Sequence, residues 1–247
     1  MAGMSTLIQR LDAVDAAPGA AELRAHSYDL LHLSRGASVI DIGCGSGRAV
    51  AELADQGAVP IGIDPSDQMI TAARTRWPAM DFRLGTAKNL PLPDESVTAY
   101  RADKVFHEIA DPAAALAEAR RVLTPGGRIV LLGQDWDALI IDSDDPETTR
   151  TVLHARAATI TNPRSARTYR NLLLSSDFHD VTIEARTPIF TGDLMLPMLK
   201  GLADAAVATE KLPQERGDIW IAEQTTRAQS NRLLVAVPLF IAAASRP

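Results

Sequence analysis

The sequence predicts a doubly wound α/β fold, with helices on both faces of one largely parallel sheet. Three observations carry that expectation. Residues 38–66 read as a single β-α-β unit built around a glycine-rich turn. After it, short apolar runs alternate with stretches of helical spacing, the pattern that builds parallel sheets. With 247 residues, 46% of them hydrophobic, the chain can bury a full core as one domain.

Within the first unit, Val39 to Ile42 is short and β-branched, as a buried parallel strand requires. It stops at Gly43, Gly45 and Gly47, which let the backbone turn tightly and let a ligand approach the main chain. From Gly47 to Gln56 the spacing becomes helical, with Val50, Leu53 and Ala54 on one face and Gly57 placed to end the helix. The helix N-terminus beside the turn favours an anionic group. The next apolar run, Val59 to Ile63, ends at Asp64, about twenty residues after the first glycine, where dinucleotide folds place the acid that binds a ribose diol.

The rest of the chain continues the alternation. Asp67 to Trp77 reads as a helix ended by Pro78, and Met80 to Leu84 as a third strand. Val97 to Tyr100 is a fourth strand. Asp111 and Pro112 suit the N-cap and first position of a helix running to about Leu123. Pro125-Gly126-Gly127 then leads into a fifth strand, Arg128 to Gly133. Beyond it come an acidic loop from Asp142 to Asp145, a helix opened by Asp145-Pro146, and a second helix to about Ser176. Val181 to Ala185 and Arg232 to Ala242 read as two further strands, with helices Asp193 to Ala208 and Pro213 to Gln229 between them. Ahead of the first strand, Ser5 to Leu33 reads as two helical pieces separated by Ala17-Pro18-Gly19, the first with Leu7, Ile8, Leu11 and Val14 at helical spacing.

Composition narrows the function classes. A formal charge of -6 without a Lys/Arg run disfavours a general binder of nucleic-acid backbones. No apolar run approaches the roughly twenty residues of a membrane span, so no membrane is expected. One cysteine, Cys44, allows no internal disulfide, and the start of the chain lacks the features of a signal peptide, so the expectation is a cytoplasmic protein. The five histidines and Cys44 show no zinc spacing, and no metal is expected.

Two sequence features speak to the cofactor. The turn is G-x-G-x-G and not the G-x-G-x-x-G associated with a pyrophosphate, which disfavours a NAD-dependent oxidoreductase. Tyr100 and Lys104 have the Y-x-x-x-K spacing of short-chain dehydrogenases, but Tyr100 ends a strand where that family needs a helix.

Taken together, VIDIGCGSG followed by GIDPS resembles the first two motifs of class I S-adenosylmethionine-dependent methyltransferases. The segment Arg101 to Pro112, ending in Asp-Pro, and Pro-Gly-Gly before an apolar strand are similar to later marks of that family, in the same order. The likeness extends over about Leu23 to Phe178 and is closest to the small-molecule branch, which includes ubiquinone and menaquinone pathway enzymes. It implies a Rossmann-like sheet of seven strands in the order 3-2-1-4-5-7-6 with a helical cap. It also implies an N-terminal helical cap (1–36), a donor-binding core (37–134), acceptor-side cap helices (135–180) and a C-terminal edge hairpin with a helical insertion (181–247).

By the same resemblance, S-adenosyl-L-methionine is the donor and S-adenosyl-L-homocysteine the product. The donor site would use Tyr28, Asp41, Gly43, Cys44, Gly45, Asp64, Pro65, Met69, Thr86, Ala87 and Arg101. Arg24 and Tyr28 would face the methionine end, Asp41 the donor ammonium directly or through water, Asp64 the ribose, and Met69 the adenine. Thr86 stands where the family commonly has an acid for the adenine amino group, so recognition there lacks charge assistance. His107 is the candidate general base, since it follows the fourth strand and titrates near neutrality. Asp103, Trp136, Arg167 and Tyr169, with Asp135 and His154, fall near the expected acceptor mouth. The partner is then a small-molecule acceptor, and a homodimer is compatible with the fold. A donor-binding protein without methyl transfer and a protein or RNA methyltransferase remain open at this stage.

Overall fold

The computed structural model describes residues 12, 13, 15–17 and 19–247. The expected first helical piece, with Leu7, Ile8, Leu11 and Val14, lies outside these residues apart from Asp12, Ala13 and Asp15. The second piece is helix α1 (Ala20–Asp29), entered through Gly19 at φ 78°.

The nucleotide-type core follows in the expected order: β1 (Ser38–Ile42), α2 (Arg48–Asp55), β2 (Val59–Asp64), α3 (Asp67–Arg76), β3 (Asp81–Leu84), β4 (Val97–Asp103), α4 (Pro112–Val122) and β5 (Leu123–Gln134). Helix starts lie where capping residues put them. Ser66 Oγ accepts from Met69 N–H at 3.3 Å to open α3, and Asp111 accepts from Ala114 N–H at 3.0 Å to open α4.

After β5 come β6 (Ile140–Ile141), α5 (Pro146–Ala157), α6 (Ser165–Ser175), β7 (His179–Arg186), β8 (Ile189–Phe190), α7 (Leu196–Ala208), α8 (Gln214–Gln229), β9 (Val235–Ala236) and β10 (Leu239–Ser245). Asp145 caps α5, accepting from Thr148 N–H at 2.9 Å. The main sheet has seven strands in the order β3-β2-β1-β4-β5-β10-β7. The first five are parallel, and β10 runs antiparallel to both β5 and β7. This is the 3-2-1-4-5-7-6 arrangement, with β7 and β10 as the edge hairpin.

One feature departs from the expectation. Arg232 to Ala242 is not one strand. Pro238 has no N–H to donate to a ladder, and its carbonyl instead accepts from Asp135 N–H at 3.0 Å. The chain breaks there, so Val235–Ala236 joins a separate three-stranded sheet, β6-β9-β8, while Leu239–Ser245 joins the main one. In addition, residues on both sides of position 180 build one core. Leu139, Val152 and Leu153 pack with Leu199, Leu202, Trp220 and Val235 in a single buried cluster. Helix α6 instead sends Ala166, Tyr169 and Leu173 into the main core beneath the sheet.

The strand faces sort the functional residues. Ile40, Ile42, Tyr100 and Ala102 point into the larger core with α4 and α6. Val39, Ala99, Val130 and Leu132 face the other side, against Tyr28 and Leu31 from α1 and its end and against Leu53 of α2. Alternation places Asp41 and Arg101 on this second face, beneath α1.

Candidate active site

The C-terminal ends of β1, β2 and β4 form the site, where an open α/β sheet presents its loops. Gly43 takes φ +65°, and a Cβ there would lie 2.5 Å from Val105 Cγ2, so only glycine fits. Gly45 takes φ +52° and has nothing within 4 Å of where its Cβ would be, so the turn is open on that side. Asp64, nearly buried, turns back under it. One carboxylate oxygen accepts from Gly45 N–H at 2.9 Å and the other from Ser66 N–H at 2.8 Å. The two amides fix the carboxylate, and each oxygen keeps a further lone pair for a ligand hydroxyl.

Behind the turn lies a buried ionic cluster. Arg101, only 2% exposed, donates from one terminal nitrogen to Asp41 at 2.7 Å and from the other to Asp103 at 2.8 Å. Its Nε donates to Ser27 Oγ at 2.9 Å, and its guanidinium lies 5.2 Å from the centre of the Tyr28 ring. Burial pushes the Asp41 carboxyl upward against the pull of Arg101. Asp103, although desolvated, is held below its ordinary value by Lys104 and Arg101. Lys104, at φ 58°, ends β4 and sits 3.1 Å from Asp103. The expected role of Asp41 is therefore modified: its nearest partner is Arg101, and any effect on a bound ammonium passes through this cluster.

Tyr28 and Arg24 are likewise engaged within the protein. The Tyr28 hydroxyl donates to Glu52 at 2.8 Å, and Arg24 makes two bonds of 2.9 Å to the same carboxylate. Both buttress α1 against α2 and do not present free groups to a ligand. Cys44 is buried, and burial pushes its thiol well up, which disfavours the thiolate. Met69 is buried at the start of α3, Ala87 is buried, and Pro65 and Thr86 are exposed beside them.

On the opposite side of the strand ends, three segments are knitted together. Asn162 N–H donates to the His107 carbonyl at 2.8 Å, and its side chain bonds the Ile109 carbonyl. Trp136 N–H donates to the Pro163 carbonyl at 2.9 Å. This brings the His107 ring to 5.8 Å from the Trp136 ring, tilted by 60°. His107 has its pKa lowered, first by burial and then by the nearby Arg156 and Lys104, against the opposing Glu108. Its neutral, proton-accepting form is thereby favoured.

The remaining expected residues divide. Asp103 and Trp136 belong to this region. Asp135 is fully buried and binds Arg167 through both of its oxygens, so Arg167 is committed to an ion pair. Tyr169 is a correction: it is 1% exposed and packs edge-on against Phe106 with ring centres 5.8 Å apart, inside the main core. His154 is exposed. Tyr100 is buried on β4, which is incompatible with a helical Y-x-x-x-K pair. Among the described residues no group of three His, Cys, Asp or Glu is placed to hold a metal, and no helix is long and apolar enough to cross a membrane.

Sequence reasoning missed Ser27, Glu52, Gln134 and Arg156. An arginine inside a buried strand, as in VTAYRAD, does signal that buried partners must exist, although it cannot name them. No sequence signal joins Arg156 to Trp136.

A family model described as a methyltransferase domain matches residues 40–131, which span the turn, Asp64 and β4 through β5. Over these residues the chain is similar to that family. An uncharacterized 37.1 kDa protein in a transposon of Streptomyces fradiae is 36% identical over 225 residues, 87% of this chain and 65% of that protein. A demethylmenaquinone methyltransferase of Paenarthrobacter aurescens is 34% identical over 103 residues, 42% of this chain and 41% of that protein. The match therefore spans less than two thirds of either relative. Among solved structures, phosphoethanolamine N-methyltransferase 2 of Haemonchus contortus, in complex with S-adenosyl-L-methionine, superposes with a TM-score of 0.61 at 16% identity. That superposition covers 94% of this chain and 54% of the other.

Proposed function

We propose that this methyltransferase binds S-adenosyl-L-methionine at the ends of β1, β2 and β4 and transfers its methyl group to an O, N or C nucleophile of a small molecule. S-adenosyl-L-homocysteine is the product. The observation that carries the reading is the Asp64 carboxylate, fixed by the Gly45 and Ser66 amides beside an open glycine turn. That geometry suits a ribose diol, and the open side of Gly45 leaves room for the rest of the ligand.

When bound, the donor supplies a methyl group on a sulfonium, open to in-line attack. The protein's own work is to bind, align and exclude water, and alignment is worth roughly 7 to 11 kcal/mol in well-oriented models. Asp64 takes the ribose hydroxyls. Met69 and Ala87 border the adenine, and Thr86 offers its hydroxyl to the adenine amino group. Arg101, held by Asp41 and Asp103, keeps the strand ends and α1 in register behind the turn. His107, whose neutral form burial favours, removes a proton from the nucleophile where the acceptor requires it.

A small-molecule acceptor, of the quinone or secondary-metabolite kind, is supported by the net charge of -6 and by the likeness to a demethylmenaquinone methyltransferase.

Calorimetry with S-adenosylhomocysteine and with NADH is the first test, and binding of the former alone is expected. Incubation with methyl-labelled donor and an extract of the native organism, separated by size, follows. Label in the small-molecule fraction supports the proposal. Label in protein or RNA overturns the acceptor class, and tight donor binding without label overturns the transfer activity.

A further inference from the structure

The charges around the acceptor mouth are almost all matched within the protein. Asp103 is shared by Arg101 and Lys104, Asp135 is bound by Arg167, and Asp137 by Arg164 at 2.8 Å. Arg156 is the exception. Its guanidinium lies 5.3 Å from the centre of the Trp136 ring, and its one side-chain hydrogen bond goes to the neutral Thr159 hydroxyl at 3.2 Å. Among the described residues, no carboxylate lies within 4.0 Å of it. The exposed Glu108 lies 3.3 Å from His107 and does not pair with Arg156.

The same ring supplies a second observation. The indole Nε1 of Trp136 is buried and has no hydrogen-bond partner. An indole nitrogen can only donate, and leaving a buried donor unpaired costs about 1 to 3 kcal/mol. A half-buried cation and an unpaired donor thus converge on one aromatic ring, which in turn lies against His107. Both groups call for an acceptor atom, and the cation calls for a negative one. Arginine suits carboxylate and phosphate because its planar fork matches two oxygens at once.

We infer that the methyl acceptor carries an oxyanion, a carboxylate or a phosphate, which binds Arg156 and the Trp136 indole N–H and so brings the nucleophile to His107. This specifies the substrate class of the site proposed above and rests on that reading. The Trp136 ring also packs against the apolar cluster that holds Leu139, Leu199 and Trp220, so a ligand reaches Nε1 only if the ring shifts within that packing. Arg156 is then a substrate-binding residue that discriminates acceptors by charge.

The test uses the full chain saturated with S-adenosylhomocysteine and titrated calorimetrically with inorganic phosphate, with benzoate, and with benzamide as the neutral shape match of benzoate. Trp136 fluorescence is followed in parallel in a Trp77→Phe, Trp220→Phe background. One anion is expected to bind at least about tenfold more tightly than benzamide, and phosphate or benzoate, whichever binds, names the group. Arg156→Gln is expected to weaken the anion about tenfold, and Arg156→Lys about threefold, with S-adenosylhomocysteine affinity unchanged in both as the sign of an intact fold. Equal binding of benzamide, no effect of Arg156→Gln, or no binding of either anion overturns the inference. Failure of S-adenosylhomocysteine to bind the unaltered chain overturns the methyltransferase reading instead, and the anion titrations are then read without it.

Discussion

The donor side and the acceptor side of this site are built in opposite ways. Around the glycine turn the protein meets its own polar groups: Asp64 holds two main-chain amides, Arg101 spends every nitrogen on Asp41, Asp103 and Ser27, and Tyr28 and Arg24 close on Glu52. On the acceptor side partners are missing. Gln134 Oε1 and Trp136 Nε1, at and just beyond the end of β5, are buried without a hydrogen-bond partner. Arg156 adds a cation without an acid. The difference teaches where ligand identity is decided. A site for one constant cofactor is best preorganised, since every bond already made inside the protein lowers the cost of ordering it on binding. A site that selects among acceptors has to leave donors and acceptors for the substrate itself.

The sharpest way to break the preorganised half is to unpair its buried charge. Arg101→Met leaves Asp41 and Asp103 buried beside an apolar side chain, and loss of one member of such a cluster costs about 3 to 5 kcal/mol. Urea unfolding is expected to show a loss of that size, and Asp41→Asn added to Arg101→Met is expected to recover part of it. An additive double variant would mean that the two residues are not coupled.

Next in size is Asp64→Ala. It removes a charged acceptor of two amides and the expected partner of the ribose hydroxyls, each such bond being worth about 1.5 to 3 kcal/mol. S-adenosylhomocysteine affinity is expected to fall about 100-fold or more by calorimetry, with the far-ultraviolet spectrum unchanged. A loss below fivefold would remove Asp64 from the donor site.

The acceptor side is expected to respond in rate and not in donor affinity. His107→Ala should lower turnover at least about tenfold with S-adenosylhomocysteine binding intact. Because burial and the neighbouring cations hold His107 below the ordinary histidine value of 6.5, its neutral form is gained as pH rises through that lowered value. The rate should climb with pH below about 6.5 and then level off. A flat profile in the unaltered protein, or unchanged turnover in the variant, would dismiss the base.

The smallest effect is expected at Thr86. It is exposed, and its hydroxyl stands where the family commonly has an acid. Thr86→Asp should tighten S-adenosylhomocysteine by about threefold, the gain of a charge-assisted bond at an exposed site. No change would mean that adenine recognition rests on the main chain near Ala87.

The same contrast explains what could be read without a structure. The β-α-β unit was legible because its causes are local: Gly43 and Gly45 adopt positive φ within a few residues of a β-branched run, and Asp64 ends the next strand. Capping by Ser66, Asp111 and Asp145 is local as well. The break at Pro238 was misread as part of one strand, because whether an isolated proline splits a strand depends on which neighbours are available to each half.

By itself, then, the sequence determined the alternation of strands and helices, the glycine turn, the acid at the end of β2 and the helix starts, all of which follow from backbone preferences over a few residues. Only the tertiary structure decided which polar groups are spent inside the protein and which are left over. Arg101 meets Ser27 across 74 positions and Asp41 across 60, and Trp136 meets both His107 and Arg156 from different elements. Those meetings depend on strand register and on how the cap segments fold back on the sheet, and pairing across such distances leaves no periodicity or spacing in the chain.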